Sequence, residues 1–412
     1  MAGTYLTHTT STPTNSDKAT LSFWLKRSKL SSGQGVFAQD TDGNDKFAFI
    51  LGSNDTISIF QETAGTVDIN LVTNRVFRDT SAWYNFVLHF DSTQGAGSNR
   101  VQLFVNGVQE TSFSTSTYPS SNVDFRFNKS GIVQEIGRYE GGNYFDGLLS
   151  HINFIDGTIY SASTFGSTDS TTGEWKINTS PSVTYGNNGF FIFKNNGSKT
   201  DQSGKGNNFS EEGSPGIVSN TEDCPSDVFA TLNSLDSDLT SNPFSNGNTK
   251  VTGQNPESVK YYCGLTLGMM GDGKYYFEAQ LNVNNQGVLG VCNLDASDTP
   301  TYLRQQNTFP GRYSSSFGYD LTDGGYYNNN SKTAYGGTSW AANDFISFAL
   351  DNTNGKMYIA KNGSWVSGGD PTNGTGGIDY SAIGDNNMFI VADNNSAGYN
   401  RFSFNFGNGA FD

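Results

Sequence analysis

The chain is short of the residues on which most enzyme and metal chemistry depends. Of 412 residues, three are cysteines and three are histidines. Cys224, Cys263 and Cys292 are too few and too widely spaced for a disulfide framework or a CxxC metal site, so reduced, partly buried thiols are expected. His8, His89 and His151 fall in no HxxxH or Cys/His spacing. The absence of a GxSxG elbow and of a GxxxxGK(S/T) loop removes the usual hydrolase nucleophile and the phosphate cradle. No apolar run is long enough to span a membrane, and the opening MAGTYLTHTTSTPTNSDK lacks the basic and apolar regions of a secretory signal. A soluble chain made without a signal peptide is therefore expected. Basic residues are also scarce: 24 Lys and Arg face 39 Asp and Glu, a net charge of −15. Phosphate backbones and anionic membranes are repelled at long range, so neither nucleic-acid binding nor membrane insertion is expected. Coiled-coil heptads, collagen-like triplets and β-helical repeats are missing, which leaves no elongated stem.

What the chain does contain is aromatic side chains and turn formers, with 31 Phe, 20 Tyr and 49 Gly against 15% charged residues. Short aromatic strands joined by Gly, Asn, Ser and Thr turns give that profile, and helical proteins do not. Two hairpin signals stand far apart, Arg100–Gln109 (RVQLFVNGVQ) and Lys356–Trp365 (KMYIAKNGSW). In each, alternating apolar residues run into Asn-Gly, whose positive φ preference suits a type I′ turn. Strand-like segments fill Ala19 to Thr158, and in Trp83–Phe90 the set Tyr84, Phe86, Leu88 and Phe90 shares one face. Trp83, Asn85, Val87 and His89 take the other, which predicts a half-buried antiparallel strand. From Ile159 to Asn248, Thr, Ser, Asn and Gly dominate, with Trp175, Tyr185, Phe209, Phe229 and Leu232 as isolated anchors. An extended connector packed against the domains is expected there. From Lys250 onward, KYYFEAQLNV, GVLGVC, DFISFALDN and RFSFNFG are again strands. The fold class read from these patterns is all-β: two antiparallel, jelly-roll-like β-sandwiches at 1–158 and 249–412, joined by a loop-rich connector at 159–248.

Three resemblances add to this reading. LSFWLKRS, WYNFVLHFDST with RVQLFVNGVQ, and IGRYEGGNYFDGLLSHINFIDG make the first region similar to laminin-G-like, concanavalin A-type domains. GKYYFEAQL, GVLGVC, FGYDLTDGGYYNNN and NDFISFALDNTNGKMYIAKNGSWVSG make the last resemble a SPRY domain. In that family the paired strands around Asp-x-x-x-Gly-Lys and Asn-Gly form the core of a bent sandwich, and Asp351, Gly355, Lys356, Asn362 and Gly363 occupy those places here. The connector phrases SASTFGSTDSTTGEWK, YGNNGFFIFKNNGSKTDQSGKGNNF and DVFATLNSLDS resemble the join between such domains in virion proteins of tailed bacteriophages. That likeness implies an exposed virion protein, made in the host bacterial cytoplasm.

Concanavalin A-type glycosidases need two carboxylates on one sheet face. The nearest run, Glu135-Ile-Gly-Arg-Tyr-Glu140, has Gly137 in place of the central Asp. Its i, i+5 spacing puts the two Glu on opposite faces of a regular strand, so no catalytic residues are assigned. Asp40, Asp42 and Asn44 imitate the start of a calcium loop, but Asp45 stands where an EF-hand needs glycine and Leu51 where it needs glutamate. No cofactor is expected; these three remain candidate calcium ligands because laminin-G-like folds can hold calcium on rim loops. Sugar sites pair an aromatic plane with amides and carboxylates in turn-rich loops. Asp323, Tyr326, Tyr327 and Asn328 supply that chemistry in the last region, and Tyr139, Asn143 and Tyr144 in the first. The expected function is a non-enzymatic virion structural protein, a lectin-like adhesin of tail-fibre or receptor-binding type. Its expected partners are host-surface glycans, other virion proteins and copies of itself, which would supply avidity. A capsid decoration or head-fibre protein is the alternative, and a polysaccharide depolymerase is a third.

Overall fold

The computed structural model describes residues 3–40, 43–194, 197–213, 221–237, 244–252, 262–266, 268–282, 287–296, 309–392 and 401–409. Alternation of apolar and polar residues makes strands throughout, and helix among the described residues is confined to three-residue 3-10 turns. The chain divides into two compact units, Met1–Val228 and Phe229–Asp412.

The first unit contains β1 (Tyr5–Thr9), β2 (Lys18–Arg27), β3 (Gln34–Asp40), β4 (Lys46–Leu51), β5 (Thr56–Thr63), β6 (Thr66–Val76), β7 (Trp83–Asp91) and β8 (Val101–Val105). It continues with β9 (Val108–Glu110), β10 (Phe113–Thr117), β11 (Val133–Ile136), β12 (Gly147–Asp156), β13 (Gly166–Thr168), β14 (Trp175–Ile177), β15 (Phe190–Ile192) and β16 (Ser210–Glu212). One sheet runs β10-β6-β5-β4-β3-β11-β1-β16 and the other β15-β12-β2-β7-β8-β9, all pairs antiparallel. Between them the inward phenylalanines interlock: the rings of Phe23, Phe49 and Phe86 lie 5.1 to 5.5 Å apart. Each such buried side chain contributes roughly 1.5–3 kcal/mol. The predicted hairpin is present, with Asn106 at φ 49° and Gly107 at φ 78° between β8 and β9.

The other face of β7 is not open to water. Trp83, Asn85, Val87 and His89 are buried along with the inward set, so the half-buried expectation is corrected. The cover comes from the segment expected to be a connector. Ala162, Phe165, Tyr185 and Phe191 pack with Val87 and Ile155 on this outer face. Trp175 Nε1 donates to Asn85 Oδ1 at 3.1 Å, and its ring lies against Gly107, where a Cβ would stand 2.3 Å away. The same segment supplies β15 and β16, an edge strand to each sheet. The boundaries 158/159 and 248/249 thus do not coincide with the compact units: the segment through Val228 goes with the first and the stretch from Phe229 with the second.

The second unit is also built of two antiparallel sheets. One orders Leu232–Ser237, Tyr262–Leu265, Asn386–Ala392, Val288–Asn293, Ser316–Asp320, Gly325–Asn328 and Ser331–Ala334 side by side. The other orders Phe244–Ser245, Lys250–Thr252, Arg401–Asn405, Lys274–Leu281, Phe345–Asp351, Lys356–Lys361 and Ser364–Trp365. Phe277, Phe348 and Phe389 meet in the core with centroids 4.6 to 5.3 Å apart. Asn362 and Gly363 turn at φ 47° and 80°, as the sequence predicts. Gly355, at φ 59°, is needed because a Cβ there would lie 2.3 Å from the Ser381 Cα. Asp351 accepts from the Asn354 backbone N–H at 3.1 Å, closing the turn that leads into Gly355 and Lys356.

Candidate functional site

In the first unit the loop from β11 to β12 crosses the outer face of the eight-stranded sheet. Residues Glu135, Ala38, Ala48 and Phe60 form one cross-strand row there, so alanines in its middle leave room for a ring. Tyr139 fills that room, 7% exposed against Ala38 and Ala48. Burial raises its phenol pKa, and neighbouring Glu140 adds to the effect. Its ring faces are used for packing, which corrects the reading of Tyr139 as a sugar platform. Asn143 and Tyr144 differ. The Asn143 backbone accepts from Gly35 N–H at 2.8 Å and donates to Tyr139 O at 3.0 Å, while its side chain is exposed. Tyr144 is half-buried, 6.2 Å from the ring of Tyr5, and the Arg138 guanidinium lies 3.5 Å from the centre of that same Tyr5 ring. Together they form an aromatic cluster around the Arg138 guanidinium, beside the exposed Asn143 side chain.

The two carboxylates tested for a glycosidic dyad have separate cationic partners. Arg138 grips Glu135 through Nε at 3.0 Å and through Nη2, and this hydrogen bonding raises the guanidinium pKa further. Glu140 sits in the turn at φ 50° and accepts from Lys46 Nζ at 3.1 Å. Lys46 also reaches Glu62 at 3.5 Å. Glu135 lies in the outer-face row with Ala48, and Glu140 reaches Lys46 on that same face, so the expectation of opposite faces is corrected: the loop after β11 folds Glu140 back over the sheet.

The calcium reading rests on the β3–β4 turn. Asp42 lies outside the described residues. Asp40 Oδ1 accepts the Gly43 N–H at 3.1 Å, and the Asn44 carbonyl accepts from Gly65 at 3.0 Å. Among the described residues, no group of three or more His, Cys, Asp or Glu side chains converges as a metal-holding set.

In the second unit, Tyr326 and Tyr327 point to opposite sides of their strand, as adjacent strand residues must. Tyr326 turns toward the core, 6.2 Å from Phe317 and 6.3 Å from Tyr335. Tyr327 meets Phe309 edge-on at 4.9 Å, and Lys332 Nζ lies 5.0 Å from its ring centre. Asn328 spends its amide N–H groups on the carbonyls of Ser314 and Ser316, at 3.2 and 2.9 Å. Asn329 and Asn330, at φ 49° and 57°, form the tight turn back to Ser331–Ala334. Lys332 bridges Asp320 at 2.8 Å and Asp323 at 2.6 Å. Burial works to raise the Asp323 pKa, but the Lys332 and Gly325 hydrogen bonds outweigh it and hold the carboxyl below its ordinary value. Asp323 is 56% exposed, and Tyr327, half-buried like Tyr326 and Asn328, lies on the side of its strand away from Phe317 and Tyr335. Tyr326 and Asn328 hold the loop in place.

A further surface was missed from the sequence. On the outer face of the sheet containing Lys274–Leu281, cross-strand rows place Tyr276 beside Ala349 and Tyr358, and Glu278 beside Ser347, Ala360 and Trp365. Tyr276 is 56% exposed and donates to Glu278 Oε1 at 2.7 Å; Phe345, on the neighbouring strand, is 39% exposed. Tyr358, Ser347 and Ala360 in these rows are buried, so the accessible part is the Tyr276 ring beside Glu278, an aromatic plane next to a carboxylate suited to stacking and hydroxyl recognition. The signal was present in KYYFEAQL: Tyr276 interrupts the polar side of an otherwise clean alternation.

Residues 1–163 match the family model of the concanavalin A-like lectin/glucanases superfamily, and residues 274–372 that of the SPRY domain. No curated protein matches the chain. Among solved structures, the SPRY domain of human HERC1 is similar at 16% identity, covering 42% of this chain and 96% of that one, with a TM-score of 0.31. The heptameric SAP-like pentraxin of Limulus polyphemus aligns at 15% identity over 39% of this chain and 72% of its own, TM-score 0.30. Domain 4 of the extracellular arabinanase AbnA from Geobacillus stearothermophilus, in complex with arabinotriose, aligns at 15% identity over 35% and 64%, TM-score 0.28. The protein therefore carries a concanavalin A-like domain followed by a SPRY domain, and both folds fit carbohydrate or protein binding.

Proposed function

We propose that this protein is a non-enzymatic component of a tailed-bacteriophage virion, displayed on the particle surface after synthesis in the bacterial cytoplasm. It acts as a lectin-like adhesin, of tail-fibre or receptor-binding type, toward host-surface glycans or neighbouring virion subunits. The observation that carries the reading is the pairing of half-exposed aromatic rings with polar groups on two binding-type sandwiches. Tyr144 with Asn143, Tyr327 with Asp323, and Tyr276 with Glu278 each offer a stacking plane beside hydrogen-bonding groups. Shallow surfaces of this kind bind weakly one at a time and become effective in many copies.

The test is retention of the purified chain on host envelope material, read alongside reducing-sugar release. Retention without release supports the adhesin, and loss of retention in Tyr276→Ala, Tyr327→Ala or Tyr144→Ala identifies the surface used. Release of sugar would replace this reading with a depolymerase. Binding that survives a chelator supports cofactor-free recognition; binding lost to it would return calcium at Asp40, Asp42 and Asn44. The second reading, a capsid decoration protein, is favoured by the absence of a stem among the described residues. Labelling the protein in intact particles separates the two, since density at tail tips supports adhesion and regular density on capsomers supports decoration.

A further inference from the structure

An antiparallel sheet leaves one side of each edge strand unpaired, so proteins normally guard edges with charge, proline, a covering loop or extreme shortness. Among the described residues, the edge strands of the four large sheets divide on that criterion. In the first unit, β16 carries Glu211 and Glu212, and β9 carries Glu110. The free side of β15 is taken: Phe191 N–H donates to Asp201 Oδ1 at 2.9 Å, Gln202 donates to Phe191 O at 2.7 Å, and Phe193 donates to Ser198 O at 2.8 Å. In the second unit, Leu232–Ser237 includes Asp236 and Ser331–Ala334 includes Lys332, while Phe244–Ser245 and Ser364–Trp365 have two residues each. The remaining edge of these four sheets is β10, Phe113–Thr117. Ser114, Thr115, Ser116 and Thr117 are exposed, and no described segment pairs with their outer side.

β10 has none of the usual guards except a bulge. The register with β6 shifts between Phe113 and Thr115, then runs regularly through Thr115, Ser116 and Thr117 opposite Val72, Leu71 and Asn70. From Thr111 to Val123 the sequence has no charged residue. A strand without charge is self-compatible: two copies meeting there add no like-charge pair to the general repulsion of two chains of net charge −15. Ser and Thr side chains opposite one another across an antiparallel pair are compatible and hydrogen-bond. Exposed valines flank the strand on its neighbours in sheet and sequence: Val67 and Val76 on β6, and Val108 on β9 at 70% exposure.

We propose that β10 is a self-association edge: two copies of this chain pair their β10 strands antiparallel about a twofold axis, joining their eight-stranded sheets into one continuous sheet. This does not depend on what the protein binds, because the edge shares no residue with the ligand surfaces. A contact of one short strand and its flanking valines falls at the small end of specific interfaces, so reversible dimerisation with a Kd on the order of 1–100 µM is expected.

Sedimentation velocity of the full chain, across roughly 1–200 µM, should show a monomer–dimer equilibrium that tightens as salt screens the −15 charge. Ser116→Lys, placing like charges across the axis, should weaken association at least about tenfold while far-UV circular dichroism and melting temperature stay unchanged. Thr115→Cys, Ser116→Cys and Thr117→Cys report the register: at least one should form a disulfide-linked dimer under mild oxidation that the parent chain does not form. A chain that stays monomeric across that range, a Ser116→Lys variant that dimerises as tightly as the parent, or failure of all three cysteines to cross-link would overturn the proposal.

Discussion

Lys26 Nζ and Asp223 Oδ2 stand 2.8 Å apart, 197 residues separated in sequence, with side chains 2% and 0% exposed. The other oxygen of Asp223 accepts the Trp83 indole N–H at 3.0 Å. This buried pair fastens the end of the covering segment to the outer face of the six-stranded sheet. Removing one charge from such a pair strands the other in a medium that cannot solvate it. Asp223→Ala should therefore destabilise the first unit by about 3–5 kcal/mol. Replacing both ends with apolar residues, Lys26→Met with Asp223→Leu, should recover the part due to the stranded ammonium and leave about 1–3 kcal/mol for the unpaired Trp83 indole N–H, and denaturant unfolding followed by tryptophan fluorescence decides between the two outcomes.

The grip of Trp175 on the β8–β9 turn gives a second expectation. Gly107 holds φ 78°, and a Cβ at that position would stand 2.3 Å from the Trp175 ring. Gly107→Ala meets both left-handed backbone strain and a clash, and should cost roughly 1–3 kcal/mol. Trp175→Ala removes the clash but leaves the fully buried Asn85 without its indole donor. Combining the two changes should cost less than the sum of the single losses, because the alanine methyl then occupies space the indole has vacated. Additive losses in a double-mutant cycle would show that the ring does not press on the turn.

These two contacts mark the limit of what the sequence discloses. Local rules placed the Asn-Gly turns at Asn106 and Asn362, because their φ requirement is set by two adjacent residues. Period-two alternation placed Tyr84, Phe86, Leu88 and Phe90 in the core. The same alternation misjudged Asn85 and Val87, since their burial depends on Trp175 and Phe165, residues too far along the chain for any local pattern to reveal. At the candidate surfaces the residue types were legible but their commitments were not. Tyr139 reads as a loop aromatic until Ala38 and Ala48 are seen beneath it, and Asn328 as a free amide until its two carbonyl partners are found. Tyr276 could have been noticed, as a large ring on the polar side of its strand.

His151 predicts an acid dependence. It sits at φ 48° in the bulge of β12, buried, with Ser150 Oγ 2.7 Å from Nδ1 and its ring 5.9 Å from Phe191. Burial, with a smaller contribution from Lys194, lowers its pKa from 6.5 to about 4. The unfolded chain therefore takes up this proton before the folded one does. The stability held at neutral pH falls as pH drops from about 6.5 to about 4, by up to roughly 3 kcal/mol, and levels off below that. His151→Asn, which tolerates the positive φ, should flatten this part of the stability profile. His8 and His89 are lowered by burial as well and act in the same direction, so the difference between parent and variant isolates the His151 share.

The two carboxylates on Lys332 should respond unequally to removal. Asp320 is 3% exposed and Asp323 is 56% exposed, although both lie within 2.8 Å of the same ammonium. Asp320 also caps its own turn, accepting the Thr322 N–H at 2.9 Å. Asp320→Asn keeps that acceptor and removes a charge that Lys332 would otherwise meet out of solvent, so it should lower stability by about 1–3 kcal/mol. Asp323→Asn removes a charge that water can replace, and stays within about 0.5 kcal/mol of the parent. If Asp323 and Tyr327 face the ligand, Asp323→Asn should still weaken retention on host envelope material severalfold at unchanged stability. Asp320→Asn should weaken retention only where it also unfolds the hairpin. Thermal denaturation and retention measured on the same preparations separate the two roles. Equal stability losses for the two variants would mean that Lys332 holds both carboxylates as one buried unit, and would remove Asp323 from the ligand-facing surface.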